Sequence, residues 1–280
     1  MLAYRHAFHA GNHADVLKHS VLMLVLRHLN GKPKGYRFVD THAGAGGYSL
    51  EGRYAQKKAE YEGGIGRLWT RDDLPEVLAD YVALVRQFNP DGVLAQYPGS
   101  PAFAQMLLRR QDQLRAFELH PTEQKILRST LLATPGATAY DGDGFEGLKS
   151  QLPPSSRRGA VLIDPSYEGN RDYGRVIATL RDALLRFAEG TYMVWYPQVS
   201  KLEASELPRR LEAIAPRDWL HLRLSVQQPD AQGFGLAGSG MFVINPPHTL
   251  RAQMEAVLPY LVEVLGQFDG ANYAIDRREG

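Results

Sequence analysis

Short apolar strands alternate with amphipathic helices from residue 114 onward, and this alternation constrains the fold more than any other feature of the chain. The strand LRAFELH precedes the helical stretch PTEQKILRSTLL, and the strand GAVLID precedes the helical stretch DYGRVIATLRDALLRFAEG. A helix between two strands lets the strands run parallel, and the helices then cover both faces of the sheet. The sequence therefore predicts an α/β fold with a mostly parallel sheet.

Two strands near the end of this region depart from the alternation. Residues 220–227 and 240–247 are joined only by a glycine-rich loop, so they are expected to be antiparallel neighbours. With the first strand, YRFVD, the count is seven strands, of which the last is reversed near the edge of the sheet. Residues 48–99 have a polar, helical pattern, and we interpret them as a helical insertion within one domain of residues 1–280.

Composition excludes several classes of protein. The chain has 280 residues and no cysteine, which excludes disulfides and thiolate metal sites and fits a cytoplasmic protein. Histidines stand where a signal peptide needs an apolar core, and the early apolar run VLMLVL is too short to span a membrane. The net charge is only +1, so nucleic acid binding would have to use local basic clusters. Candidate clusters are the pairs Lys57 and Lys58, Arg109 and Arg110, and Arg157 and Arg158.

The loop DTHAGAGGYS after the first strand is the candidate cofactor site. A nicotinamide fingerprint needs a third glycine three residues after Gly46, where this chain has Ser49, and an acid ending a second strand about 20 residues later. Neither is present, so nicotinamide binding is disfavoured. In a cofactor without a pyrophosphate, glycines such as Gly44 let the backbone approach the amino-acid part of the molecule.

Two acids that follow later strands extend this candidate site. Glu118 at the end of AFELH can hold a ribose diol, and Asp143 with Gly144 can meet an adenine ring. Taken alone, Glu118 fits an exposed strand-end acid equally well, and Asp143 fits a turn or a helix N-cap. Glycine loop, ribose acid, adenine acid and a further polar loop nevertheless occur in order on successive strands. This order predicts a Rossmann-like class I fold that binds S-adenosyl-L-methionine.

That further polar loop, IDPSYEG, is the candidate catalytic loop. It nearly spells Asp-Pro-Pro-Tyr, the signature of enzymes that methylate amino groups on conjugated rings, with Ser166 in place of the second proline. The Asp164 carboxylate and the Pro165 carbonyl can accept hydrogen bonds from the amine, and Tyr167 can stack on the base. With Ser166 at this position, the loop keeps every group that the chemistry needs and lacks only the rigidity of the second proline. The alternative loop NPPH follows the reversed strand and is interpreted as a loop stiffened by two prolines.

With these residues in view, the chain resembles the RlmJ-type 23S ribosomal RNA adenine-N6 methyltransferases over nearly its whole length. The motifs that carry the resemblance are MLAYRHAFHAGNHADVLKH, DTHAGAGGY, YPGSP, ELHP, DGF, SRRG, WYP and GSGM.VINPP. The resemblance implies that a set of residues lines the cofactor site, namely His19, His42, Ser100, Glu118, Asp143, Gly144 and Asp164. It also implies that Tyr4 contacts the RNA and shapes the active site.

Some of these residues allow a simpler interpretation. Ser100 precedes a proline and fits a helix N-cap, whereas His19 fits an ordinary buried histidine of the first helix. The histidines near the start raise the possibility of a metal site, but only His9 and His13 are spaced to share one helix face. Asp15 is the one acid nearby, and we predict that no metal is bound.

The sequence thus favours an enzyme that transfers a methyl group from S-adenosyl-L-methionine to the N6 amine of an adenine in 23S ribosomal RNA. We expect a monomer that acts without a membrane on protein-free RNA or on an early assembly intermediate. One alternative is a DNA adenine-N6 methyltransferase, although no separate target-recognition domain is evident. Another is a non-catalytic RNA-binding protein that retains the fold.

Overall fold

A central β-sheet organises the computed structural model, which describes residues 6–52, 59–215, 217–228 and 235–278. The strands of the described part are β1 (Arg37–Asp40), β2 (Gly47–Ser49), β3 (Gln96–Pro98), β4 (Gln113–Glu118), β5 (Ala137–Asp141), β6 (Gly159–Ile163), β7 (Thr191–Gln198), β8 (Trp219–Ser225), β9 (Gly238–Ile244) and β10 (Asn272–Arg278). Eight of them form the main sheet in the order β10-β8-β9-β7-β6-β1-β4-β5.

The direction of the strands confirms the predicted α/β class and its mostly parallel sheet. Strands β7, β6, β1, β4 and β5 are parallel neighbours. Strand β9 lies antiparallel between β7 and β8, so the reversed strand is where the short loop required it. The predicted count of seven strands was wrong for this sheet, because β10 adds an eighth at the edge, antiparallel to β8. Its sequence NYAIDRR is largely exposed and lacks the apolar run of a central strand.

Helices cover both faces of the sheet. They are α1 (His13–Asn30), α2 (Ile65–Trp69), α3 (Glu76–Gln87), α4 (Ser100–Leu107), α5 (Pro121–Leu131), α6 (Gly144–Gly147), α7 (Arg171–Arg186), α8 (Leu202–Ile214) and α9 (Leu250–Leu265). Single 3-10 turns occupy His6–Phe8, Glu60–Gly63 and Leu148–Gln151. In the part of the chain that is described, no helix has the length and apolarity needed to cross a bilayer.

Two hydrophobic cores lie on the two faces of the sheet. In β6, Leu162 packs into the core that contains α1, α3 and α9, while Val161 and Ile163 pack into the core of α7 and α8. Successive side chains of a strand point to opposite faces, so a strand buried on both faces reads as the continuous apolar run GAVLI. Helix α1 is itself buried on nearly every side from His13 to Leu26.

The segment from β2 to β3 lies outside the main sheet, between β1 and β4 in the chain. β2 and β3 pair as a short antiparallel ribbon, which sequence reasoning did not predict, with Tyr48 opposite Tyr97. Helices α2 and α3 lie between these strands, and α3 agrees with the helical pattern seen in the sequence. Arg67 of α2 donates hydrogen bonds to the carbonyls of Val264 and Gly266 at the end of α9. The boundaries 48–99 of the insertion stay a prediction.

Candidate active site

A cleft of about 300 Å³ lies beyond the carboxyl ends of β1, β4, β5 and β6, which is where open α/β sheets bind their ligands. Every residue that the sequence assigned to a cofactor site lines this one cleft. These residues are His19, His42, Gly44, Ser100, Glu118, Asp143, Gly144 and Asp164. Pro165 and Ser166 lie on the same wall. The fold therefore brings together residues that are up to 145 positions apart in the chain.

Glu118 shapes the glycine turn from the end of β4. One of its carboxylate oxygens accepts a hydrogen bond from the Gly44 amide at 2.8 Å, and the other accepts from the His120 amide at 2.6 Å. Gly44 has a φ of +61°, and a side chain there would also collide with the Tyr48 hydroxyl. Burial raises the pKa of Glu118, although both amide hydrogen bonds act against this. Glu118 is thus a fixed, partly buried acid and not a freely exposed one.

Asp143 both caps α6 and faces the cleft. Its carboxylate accepts a hydrogen bond from the Phe145 amide at 3.0 Å and pairs with the Arg175 guanidinium at 2.6 Å. Next to it, a Cβ on Gly144 would lie 1.8 Å from the Thr41 carbonyl oxygen, so only glycine allows the two loops to approach this closely. Burial lowers the pKa of His42 to about 3, which keeps this ring neutral at the cleft wall.

His19 and Ser100 lie on facing helices at the inner end of the cleft. His19 is fully buried, and its Nδ1 is 2.7 Å from the Tyr97 hydroxyl, while no described group hydrogen-bonds to its Nε2. Burial holds the pKa of His19 well below its ordinary value. The expectation that Ser100 caps α4 was wrong, because Gly99 is the N-cap residue. Ser100 is the first helical residue, and its hydroxyl acts to lower the pKa of Asp40 against the larger effect of burial.

A buried ion cluster that sequence reasoning missed holds the candidate catalytic acid. The Lys18 ammonium lies 2.6 Å from one Asp164 carboxylate oxygen and 2.8 Å from an Asp15 oxygen. Asp15 also accepts hydrogen bonds from the His6 ring and from the Gly11 amide, both at 2.9 Å. Burial opposes both charges, yet the partners prevail: they raise the pKa of Lys18 and hold that of Asp15 well below its ordinary range.

The loop after β6 separates the cleft from a second cavity of about 190 Å³. Both cavities are lined by His6, Lys18, Asp164 and Ser166. Tyr167 has a φ of +51° and lines only the second cavity, where its ring packs against Tyr173 with centroids 4.6 Å apart. Its hydroxyl donates to the Trp195 carbonyl at 2.7 Å, and the side chain is only 3% exposed. Asp164 therefore stands at the junction of two cavities, and Tyr167 forms part of the wall of one.

The remaining sequence candidates lie elsewhere. Tyr4 and the pair Lys57 and Lys58 are outside the described residues. The NPPH loop follows β9 at the opposite end of the sheet from Asp164, where Asn245 donates hydrogen bonds to the carbonyls of Ala188 and Gly190. This position agrees with its interpretation as a structural loop.

The early histidines are dispersed among separate partners. His9 pairs with Glu60 and precedes the first residue of α1, so the expectation that His9 and His13 share a helix face was wrong. Burial lowers the pKa of His13 to about 4, and His19 meets Tyr97. Among the residues that the structure describes, no three histidine, aspartate or glutamate side chains are grouped in a way that could hold a metal ion.

Comparison with known proteins identifies the family. The model of the family "Ribosomal RNA large subunit methyltransferase D, RlmJ" matches residues 33–275. The chain belongs to this family. It is 48% identical over 261 residues to "Ribosomal RNA large subunit methyltransferase J" of Escherichia coli strain K12, which covers 93% of each chain. It is 47% identical over 266 residues to the protein of the same name from Haemophilus influenzae, covering 95% of this chain and 94% of that one.

A solved structure shares the fold of this chain over nearly its whole length. Protein LPL1258 from Legionella pneumophila superposes with a TM-score of 0.89 at 34% identity, covering 96% of this chain and 98% of that chain. The family model and the two relatives confirm the resemblance to the RlmJ family that the sequence motifs indicated. Within this RlmJ-family chain, three of the motif strings lie around the cleft or in the main sheet: YPGSP joins β3 to α4, ELHP ends β4, and WYP lies in β7.

In two of the basic pairs of this RlmJ-family protein, one arginine has structural partners. Arg109 donates hydrogen bonds to the carbonyls of Asn30 and Lys32, and Arg158 donates to those of Lys34 and Leu29. Both arginines stand just before parallel strands, at the end of the sheet opposite the cleft. They hold the loop between α1 and β1 through these hydrogen bonds, so both arginines have a structural role that does not require nucleic acid binding.

Proposed function

We propose that this protein transfers a methyl group from S-adenosyl-L-methionine to the exocyclic N6 amine of a specific adenine in 23S ribosomal RNA. The observation that carries the proposal is the position of Asp164, an ion-paired carboxylate at the junction of two cavities. A group transfer between two bound molecules needs two adjoining sites with the reacting groups at their boundary. Membership of the RlmJ family and the names of the relatives support ribosomal RNA as the acceptor.

The residues of the cleft fit S-adenosyl-L-methionine. The unpartnered buried Nε2 of His19 lies against the cleft and can serve an amino-acid group, while Glu118 offers carboxylate lone pairs suited to a ribose diol. Gly44 and Gly144 keep the walls free of side chains, and Asp143 with His42 borders the adenine end. When bound, the cofactor supplies an electrophilic methyl group on a sulfonium.

Asp164 and its neighbours would activate the adenine amine that receives the methyl group. The lone pair of an arylamine is delocalised into the ring, so the amine reacts only when acceptors of its hydrogen bonds draw the nitrogen towards a tetrahedral shape. The Asp164 carboxylate and the Pro165 carbonyl supply those acceptors. Lys18 pairs with Asp164 at 2.6 Å and fixes the orientation of its carboxylate. Tyr167 and Trp195 form an aromatic wall of the second cavity, which would hold the target adenine.

We infer that the protein acts as a cytoplasmic monomer on 23S ribosomal RNA that is protein-free or at an early stage of assembly. Tyr4 is proposed to contact the RNA and close the site. A target base must leave its stack to enter a pocket, and an RNA free of ribosomal proteins makes this easier.

Methyl transfer from labelled S-adenosyl-L-methionine to protein-free 23S ribosomal RNA, and to hairpins cut from it, tests the function. We expect incorporation at one adenine, and a loss of about 10²–10⁴-fold in the single-turnover rate of Asp164→Ala. Asp182→Ala, an acid of an exposed helical pair, is the control and should retain full activity. No incorporation by the intact protein, or full activity of Asp164→Ala, would contradict the proposal. Preference for DNA of the same sequence would favour a DNA methyltransferase, and cofactor binding without turnover would favour a non-catalytic role.

A further inference from the structure

The turn of residues 9–12, just before α1, lies between the helical insertion and the active centre. Asn12 is the N-cap of α1, and its side-chain oxygen accepts hydrogen bonds from the amides of Ala14 and Asp15, each at 3.0 Å. Gly11 has a φ of +78°, and its amide donates to the Asp15 carboxylate. The turn therefore fixes the first residues of α1 and, with them, Asp15.

On its outer side, this turn is held by the 3-10 turn Glu60–Gly63 and by α2. One Glu60 carboxylate oxygen lies 2.8 Å from the His9 ring nitrogen and accepts a hydrogen bond from the Asn12 side-chain amide at 3.0 Å. The Ile65 amide donates to the Gly11 carbonyl at 2.8 Å. A Cβ on Gly64 would lie 2.1 Å from that same carbonyl oxygen, so the two backbones are in direct contact.

On its inner side, the turn reaches the catalytic acid through only two side chains. Asp15 connects to Lys18 at 2.8 Å, and Lys18 connects to Asp164 at 2.6 Å. Asp15 and Lys18 are almost wholly buried, so water compensates poorly for a lost contact. A continuous series of hydrogen bonds and ion pairs thus runs from Glu60 through Asn12, Asp15 and Lys18 to Asp164. Of these residues, Lys18 and Asp164 line the cleft, and the other three do not.

We propose that Glu60 is a positioning residue, through which the seating of the insertion sets the position of Asp164. Because Asn12 both caps α1 and binds Glu60, a shift of the insertion tilts the start of α1 and moves Lys18 relative to Asp164. The inference rests on the proposed function, since Asp164 is assigned there as the acceptor of the amine. Glu60 does not line the cleft and acts only through other residues.

Three variants test this role. In Glu60→Ala, kcat for methyl transfer should fall about tenfold, because displacements below 1 Å at a reacting group have effects of this size, whereas the cofactor Kd should stay within twofold. Glu60→Gln keeps an oxygen that can accept the Asn12 hydrogen bond and should recover most of the rate. Glu62→Ala, an exposed acid of the same turn, is the matched control and should behave as the parent protein.

Hydrogen exchange gives a readout that does not depend on activity. The amides of Gly11, Ala14 and Asp15 should exchange faster in Glu60→Ala than in Glu62→Ala, because their acceptors lose support. Equal exchange and equal kcat in these two variants would overturn the role of Glu60 while leaving the proposed function intact. A fall in kcat matched by a fall in cofactor affinity would also overturn it, since that indicates general loosening. If the parent protein itself transferred no methyl group, the proposed function would fail, and the exchange data would still decide the link from Glu60 to Asp15.

Discussion

Lys18→Met is the perturbation whose effect the structure defines best. The ammonium of Lys18 is shared between Asp15 and Asp164, and its side chain is 5% exposed. Methionine has nearly the same length and flexibility but no charge, so packing is kept and the cation is lost. Removing one partner of a buried ion pair costs about 3–5 kcal/mol because the other partner stays buried and uncompensated.

The lower end of that range applies here. Asp15 keeps two other hydrogen-bond donors, His6 and the Gly11 amide, and the Asp164 side chain is 14% exposed and can be partly hydrated. We therefore expect a loss of about 3 kcal/mol in the free energy of unfolding. With an m-value of about 3 kcal/mol per molar urea for a domain this large, the unfolding midpoint should fall by about 1 M.

Urea unfolding followed by circular dichroism measures this loss. Lys149→Met removes an exposed lysine paired with Glu146 and should cost less than about 1 kcal/mol, as surface pairs do. The double variant Lys18→Met with Asp164→Asn should be more stable than Lys18→Met alone, because it no longer buries an unpaired carboxylate. If Lys18→Met lost no more free energy of unfolding than Lys149→Met, the Lys18 ion pairs would contribute no more to stability than a surface pair, and the reasoning would be refuted.

Three further outcomes follow from the same structure. Ser166→Pro should raise the free energy of unfolding by about 0.4–1 kcal/mol, because Ser166 has a negative φ and no described residue accepts its amide proton. Methyl transfer should be unchanged or slightly faster. Thermal unfolding and single-turnover rates measure the two effects. Gly144→Ala should cost at least about 1–3 kcal/mol and weaken cofactor binding measured by calorimetry, whereas Gly174→Ala, which has open space, should be neutral or stabilising. The free energy of unfolding should fall as the pH drops from 6.5 towards 4. Burial lowers the pKa of histidines such as His42, to about 3 in that case, so the folded protein does not bind a proton that the unfolded chain binds. Each such histidine should cost about 1.4 kcal/mol per pH unit. Asp40 opposes this trend, since burial raises its pKa to about 7 and the folded state gains stability from its proton below that pH; Asp40→Asn should steepen the loss between urea midpoints at pH 7 and pH 5, and an unchanged slope would contradict it.

The grouping of the candidate cofactor residues in one cleft could be predicted from the sequence because these residues follow strands directly. Glu118 ends β4, and Asp143 comes two residues after β5, so a correct strand assignment places both acids at the same edge of the sheet. Parallel strands fix this outcome whatever the details of packing. The same logic placed NPPH at the opposite edge once the strand before it was expected to be reversed.

The ion pair that holds Asp164 could not be predicted in this way because it joins distant segments. Lys18 and Asp164 are 146 residues apart, and nothing in either local pattern indicates that they meet. Helix α1 reads as amphipathic in the sequence, with Lys18 on a polar face that would ordinarily be solvated. In the structure that face is covered by the loop after β6 and by the turn of residues 9–12, so a surface charge in the sequence becomes a buried one in the fold.

The serine in Asp-Pro-Ser-Tyr is best understood from what holds the loop. Tyr167 adopts a φ of +51°, which costs about 1–3 kcal/mol for a residue with a side chain and needs support from its surroundings. That support comes from outside the loop: Lys18 binds Asp164 on one side, and the Trp195 carbonyl binds the Tyr167 hydroxyl on the other. A second proline would restrict only the residue between these two anchored positions. The rigidity that the missing proline would supply is therefore largely provided by tertiary contacts, which is why a serine can stand there without loss of the geometry around Asp164.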